Sequence, residues 1–231
     1  MWHKKLANAF RTPTLSRQFI LKRPVLKLVG PLKGKHILEM GCGSGYWLRI
    51  FRSAGVNCTG IDISTEQIKL ATAQGGEGIE YSVHDAATFR PHKNFDIIFI
   101  DHVLSETRSS EKILKILRNG RRLLKKDGFI VLNEMHPSIV HFLTQSRPGR
   151  SYFYFKSGHP LKFHIKQANG AFITLSDYHW TLDDFAGFLK KAGFLIKDII
   201  EPRAPKTRSL DSYLQRRYQA PTHILIKAVP H

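Results

Sequence analysis

The sequence predicts an α/β protein: a doubly wound, mostly parallel sheet of seven strands, its last strand antiparallel, with helices on both faces. Three observations lead there. Short apolar runs alternate regularly with amphipathic segments of helical period, which is the pattern of βαβ units. The first run enters a turn with glycine at every second position, Gly41, Gly43 and Gly45. Four successive runs then end on an acid: Glu39, Asp62, Asp85 and Asp101. One acid after a strand is an ordinary cap or turn residue. Four at the same edge of a sheet mark a ligand-binding edge.

The elements follow in order. Residues 1–35 carry nine Lys/Arg and no acid. Organelle-targeting leaders share that bias, but residues 16–29 also read as an amphipathic helix. Phe19, Ile20, Val25, Leu26 and Leu28 are its apolar positions, Pro24 interrupts it and Gly30-Pro31 stops it. The reading favoured is N-terminal helices over 1–35 that cap the site. Residues 36–38 begin the first strand, and a helix starts at Tyr46 and ends before Gly55. Residues 56–61 form the second strand and deliver Asp62. Ser64-Thr65-Glu66-Gln67 reads as a capping box opening a helix through Ala73. Residues 79–83 are the third strand, and the near-continuous apolar run 95–100 is the buried central one.

A long helix is expected over 110–126. Ile113, Leu114, Ile116, Leu117, Leu123 and Leu124 face inward, and Lys115, Arg118, Arg121, Arg122, Lys125 and Lys126 face outward. Strand five covers 129–133. From Met135 to Ser176 there is no Asp or Glu, and aromatic residues, His and Lys dominate. An inserted lid over 138–178 is expected here, a hairpin with strands at 151–155 and 171–175. Thr181 caps a helix over 183–191, strand six covers 194–200, a basic loop spans 203–221, and strand seven covers 222–229. With no repeat and no low-complexity linker, residues 1–231 read as one domain.

The composition is that of a globular protein, with 42% hydrophobic and 23% charged residues. No apolar run approaches a membrane span. Cys42 and Cys58 make no disulfide framework, and a cytoplasmic location is the default expectation. The unusual feature is charge: 36 Lys+Arg against 18 Asp+Glu give +18. Such a field favours anionic partners, among them nucleic acid, an acidic carrier protein or an anionic small substrate.

The glycine loop narrows the ligand. A dinucleotide fingerprint needs a third glycine at position 46, which is Tyr46, and no Gly-Lys-Ser/Thr follows for a nucleotide triphosphate. A carboxylate two residues before Gly41 opposes a pyrophosphate and suits a cation. S-adenosylmethionine carries an amino group and a sulfonium and fits that demand. Asp62 can take both ribose hydroxyls, with Ile63 after it. Asp85 can accept from the adenine amino group while the Ala86 N–H donates to the ring, and Asp101 ends beside the expected sulfonium.

With these residues in view, the chain resembles the class I S-adenosylmethionine-dependent methyltransferases with a plain methyltransferase domain, mostly acting on small molecules. The resemblance rests on Glu39-x-Gly41-x-Gly43-x-Gly45, on the segment from Phe95 to Leu104, on the turn from Arg121 to Phe129, and on His136-Pro137, Glu201-Pro202 and the closing Ile224-Leu225-Ile226-Lys227-Ala228. It covers roughly residues 15–229, and the insert at 138–176 matches least. Lys126-Asp127 replaces the usual Pro-Gly. The resemblance implies a Rossmann-like fold and S-adenosylmethionine as cofactor. It implies a cofactor site of Arg17, which would hold the methionine carboxylate, with Glu39, Gly41, Cys42, Gly43, Gly45, Asp62, Ile63, Asp85, Ala86, Asp101 and His102.

Methyl transfer is an in-line displacement, and a hydroxyl or protonated amine acceptor needs a base. His136, immediately beyond strand five, and His102 are the first candidates, followed by Tyr178, His179, Tyr152 and Tyr154. His136 and His141 form no metal constellation. The aromatic, acid-free lid suits a small neutral or anionic acceptor, and the net charge keeps RNA or an acidic protein open. No Asn/Asp-Pro-Pro-Tyr motif follows strand four.

Overall fold

The computed structural model describes residues 10–139, 154–204, 213, 214 and 220–231. A π-helical stretch, Arg17–Leu21, runs directly into α1 (Lys22–Val29). Then come β1 (His36–Met40), α2 (Tyr46–Ser53), β2 (Asn57–Asp62), α3 (Thr65–Ala73), β3 (Ile79–Val83), β4 (Phe95–Asp101) and α4 (Ser110–Leu123). They are followed by β5 (Leu124–Met135), β6 (His159–Lys166), β7 (Phe172–His179), α5 (Leu182–Lys191), β8 (Phe194–Ile200) and β9 (His223–Pro230).

Seven strands form one sheet in the order β3-β2-β1-β4-β5-β9-β8. Pairs from β3 through β5 are parallel, and β9 runs antiparallel to both β5 and β8. The strand order reverses between β1 and β4. The crevice at the carboxyl ends of these strands is where a doubly wound sheet binds its ligand.

Strand alternation divides the core into two layers. Leu38, Met40, Ile98, Ile100, Ile130 and Leu132 pack with α4 and α5 on one face. Ile37, Ile97, Phe99 and Val131 pack with α1 and α2 on the other. Trp47, Phe51 and Phe99 interlock there as an aromatic cluster, with centroids 5.3–6.2 Å apart. No helix among the described residues is long and apolar enough to cross a membrane.

Several boundaries differ from the sequence reading. Pro24 does not interrupt the N-terminal helix. The Lys22 N–H bonds the Arg17 carbonyl, five residues back, so the turn before the proline is widened and the missing proline donor is absorbed. Phe19 is half exposed, and Leu21 takes the core position instead. Helix α4 stops at Leu123, not 126, because Leu124 already pairs with Phe95 in the sheet. Lys125 and Lys126 therefore lie on a strand. Of the expected capping box at Ser64, one half forms: the Ser64 hydroxyl accepts from Gln67 N–H. Thr181 and Asp184 make a complete box at α5.

The largest change is in the insert. Its hairpin is β6 with β7, paired Phe163 to Leu175 and Leu161 to Asp177; of the strand expected at 151–155, residues 151–153 lie outside the described residues and Tyr154 and Phe155 lie in a turn. The signal was present as alternation: Leu161, Phe163 and Ile165 are apolar, while Pro160, Lys162 and His164 between them are not. His141, Phe142, Tyr152, Phe153 and most of the expected basic loop lie outside the described residues.

Candidate active site

One cavity of about 790 Å³ opens at the switch point and continues under the hairpin. The volume falls within the range of about 300–1,000 Å³ common for small-molecule sites. Of the residues expected at the site, Arg17, Gly41, Gly43, Asp62, Ile63, Asp85, Ala86, Asp101 and His102 line it. Glu39, Cys42, Gly45 and His136 do not line it.

Each wall residue is placed by its element. Asp62 ends β2, and its two carboxylate oxygens accept from Gly43 N–H at 2.9 Å and Ser64 N–H at 2.8 Å. Burial raises its pKa, and those two bonds oppose the rise. It thereby holds the glycine loop and the start of α3 in register. Gly43 has φ +51°, and a Cβ there would meet nothing closer than 3.9 Å, so the loop leaves open space for a ligand. At Gly41, by contrast, a Cβ would fall 2.2 Å from the Val103 side chain. The loop after β4 is therefore pressed onto the glycine loop. Ile63 is an exposed apolar side chain in the wall, a platform for a flat ring.

Asp101 ends β4 and is buried. Its Oδ2 accepts from Arg17 Nη2 at 2.5 Å and from the Trp47 indole at 3.0 Å, and its Oδ1 accepts from Asn133 at 2.5 Å. Burial would push Asp101 up, but Arg17, His102 and these hydrogen bonds outweigh it and hold the carboxyl below the usual range. The Arg17 guanidinium lies over the rings of Phe10 and Tyr46, 5.9 and 5.5 Å from their centroids. Glu39 is buried beneath this pair, with Oε2 lacking a hydrogen-bond partner. Burial and then the nearby Asp101 raise its pKa strongly. Asp85 accepts from Ala87 N–H at 2.8 Å and pairs with Lys112 at 3.1 Å.

His102 has φ +61°, and its N–H donates to the Asn133 carbonyl at 2.8 Å. Burial holds its imidazole below its ordinary pKa, so the ring is neutral near pH 7. It sits edge-on to His223, whose ring is 5.4 Å away. The segment carrying His102 is clamped from below by Glu134, which accepts from Leu104 N–H, Ser105 N–H and the Ser105 hydroxyl. His136 is turned to a different task. Its Nδ1 meets Ser138 and its Nε2 lies 2.9 Å from Glu201, so it ties β5 to the segment after β8. Tyr178 and His179 are also outside the cavity wall; the Tyr178 N–H donates to the Ser105 carbonyl, and His179 meets the Tyr154 carbonyl at 2.6 Å.

Sequence reasoning missed Trp47, Lys112, Asn133, Glu134 and Asp177. The first four act through partners 27–54 residues away. Asp177 lies one residue beyond the acid-free stretch that drew attention to the insert.

S-adenosylmethionine fits these residues. Asp62 and Asp101 stand in the wall with Arg17 as the paired cation, leaving negative charge for a cationic group. Gly43 leaves the cradle open, and Asp62 and Asp85 stand at adjacent strand ends.

Comparison with known proteins agrees. The methyltransferase domain family matches residues 15–197. The chain is 27% identical over 173 residues to N-demethylindolmycin N-methyltransferase of Streptomyces griseus, covering 68% of each. It is 26% identical over 125 residues to the ubiquinone biosynthesis O-methyltransferase of Bordetella avium, covering 52% of this chain and 50% of that one. In structure it resembles an S-adenosylmethionine-dependent methyltransferase from Mesorhizobium loti, with TM-score 0.62, 22% identity, and 89% and 95% of the two chains covered. The chain belongs to the methyltransferase domain family and is an S-adenosylmethionine-dependent methyltransferase.

Proposed function

We propose that the protein methylates a small molecule held under the β6–β7 hairpin. The observation that carries this reading is the continuity of the cavity from the glycine loop into a largely apolar chamber walled by Met135, Ile139, Phe163, Ile165 and Leu175. The similar curated methyltransferases are named for N- and O-methylation of small compounds, which supports the same reading.

When bound, S-adenosylmethionine supplies the electrophilic methyl group. Asp62 would accept the ribose hydroxyls through lone pairs that its two backbone bonds leave free. Asp85 and Ala86 would receive the adenine, with Ile63 as an apolar wall beside it. Arg17 would receive the methionine carboxylate, and Asp101 would balance the positive charge. His102 stands where cofactor end and chamber meet, and its neutral imidazole accepts the acceptor's proton.

The test is binding followed by turnover. Wild type is expected to bind S-adenosylhomocysteine in calorimetry, and Asp62→Ala to weaken it at least tenfold. Labelled methyl from S-adenosylmethionine is expected in the small-molecule fraction of a lysate. The net charge of +18 supports a second reading with an RNA or acidic protein acceptor, and label in either fraction would replace the first.

A further inference from the structure

The cavity and the exterior carry opposite charge. Six of the 18 acids line the cavity: Asp62, Glu66, Asp85, Asp101, Glu106 and Asp177. Among the described residues, Arg17 and Lys112 are the only Lys or Arg that do so. Asp62, Asp85 and Asp101 belong to the cofactor end already described. Asp177 does not.

Asp177 sits on β7, on the inward face of the hairpin. The other positions on that face are Leu161, Phe163 and Ile165 from β6 and Ile173 and Leu175 from β7, with the His159–His179 pair at its end. It is the single carboxylate among the eight positions of that face, which the paired His159 and His179 complete; burial holds the His179 imidazole below its ordinary pKa. It is 97% buried, since 3% of its surface is exposed, and burial raises its pKa to about 7 with no hydrogen bond among the causes to oppose the rise. A buried carboxylate on a largely apolar face is costly to keep. Leu at this position would complete the layer formed by Met135, Ile139, Leu161 and Phe163. The next residue fixes its location: the Tyr178 N–H bonds Ser105, three residues from His102. The carboxylate therefore stands in the acceptor chamber beside the segment that reaches the cofactor end.

We infer that Asp177 makes this chamber selective for an acceptor with an apolar body and a basic nitrogen. The inference rests on the methyltransferase reading above and adds the chemistry of its substrate. An ammonium or a neutral amine N–H satisfies the buried oxygens, whereas a carboxylate or phosphate acceptor would bring a second negative charge to an apolar wall. The basic exterior does not compensate, because Lys112, the only lysine among the described residues of the wall, is engaged by Asp85. The expectation of an anionic acceptor, drawn from net charge, is thus reversed inside the cavity.

The experiment compares matched probes on the protein saturated with S-adenosylhomocysteine. Arylalkylamines of one to three rings are set against the carboxylic acids and alcohols of the same skeletons, and binding is read by calorimetry at pH 8. Wild type is expected to bind the amines at least tenfold more tightly than their acid counterparts. Asp177→Asn keeps shape and removes charge. It is expected to retain S-adenosylhomocysteine affinity and to lose at least tenfold in amine affinity. Equal or tighter binding of the acids by wild type, or no binding of any amine, overturns the inference without reference to the variant. So does unchanged amine affinity in Asp177→Asn. Failure of S-adenosylhomocysteine itself to bind would instead overturn the reading on which the inference rests.

Discussion

Arg17 and Asp101 meet at 2.5 Å although 84 residues separate them, and the Asp101 carboxylate is 1% exposed. The N-terminal helix is thereby pinned to the carboxyl end of the central strand. Removing one member of such a pair strands the other's charge, which typically costs about 3–5 kcal/mol. Arg17→Ala is expected to lose about 3 kcal/mol of stability and to weaken S-adenosylhomocysteine. Asp101→Asn is expected to cost less, because Arg17 is 18% exposed and reaches water. Urea melts at pH 7 distinguish the two.

Gly41 shows the steric side of the same junction. Its φ of +79° and a Cβ position 2.2 Å from Val103 make Gly41→Ala both strained and overpacked. Backbone strain of about 1 kcal/mol and overpacking of about 1–3 kcal/mol are expected to add. The paired variant Gly41→Ala with Val103→Ala should recover part of the loss, as read by thermal unfolding.

Glu134 is expected to act at a distance from the ligand. It holds the backbone of Leu104 and Ser105 without lining the cavity. In Glu134→Gln the new NH₂ group faces a backbone donor, and leaving a buried donor unsatisfied costs about 1–3 kcal/mol. We expect faster hydrogen exchange across residues 102–107 and a fall in kcat larger than the change in cofactor affinity.

The pH dependence of stability follows from two buried carboxyls. Burial pushes Asp177 up from 3.8 to about 7, and it pushes Glu134 up from 4.5 to about 8 against its three hydrogen bonds. A raised carboxyl binds more protons in the folded state, so its stabilising contribution is complete below the unfolded pKa and is lost as pH rises through the folded one. Apo stability should therefore decline between about pH 4 and 8. For Asp177 the loss is on the order of 3–4 kcal/mol. Glu106, His102 and His223 share its cavity and titrate against the same background. Asp177→Asn should flatten the curve below pH 7, measured by urea unfolding at stepped pH.

The parts of this site that were legible in sequence are those set by strand ends. Asp62, Asp85 and Asp101 follow apolar runs, and the parallel sheet carries each to one edge. Whether a strand-end acid opens into the ligand space is a different matter. Glu39 precedes its turn by two residues and points under the Arg17 pair, so the same signal placed it in the wall when it belongs beneath it. His136 follows a strand as His102 does, yet Ser138 and Glu201 capture it. The end of α4 was misread because Lys125 and Lys126 extend a helical period, while pairing of Leu124 with Phe95 decides the matter. Asp177 was invisible because its meaning depends on the register of β7 against β6, which composition does not encode.

The segregation of charge also bears on kinetics. S-adenosylmethionine is a net cation, and it must cross the field of a chain with 18 surplus positive charges before meeting the acids within. Long-range repulsion slows encounter and is screened beyond about 8–10 Å at physiological salt. Added salt should therefore speed cofactor capture in stopped-flow, the reverse of ordinary steering, while leaving residence in the shielded cavity nearly unchanged. Methyl transfer discharges the sulfonium, so the spent cofactor leaves without the charge that its walls were arranged to hold. Turnover and release are in this sense the same electrostatic event.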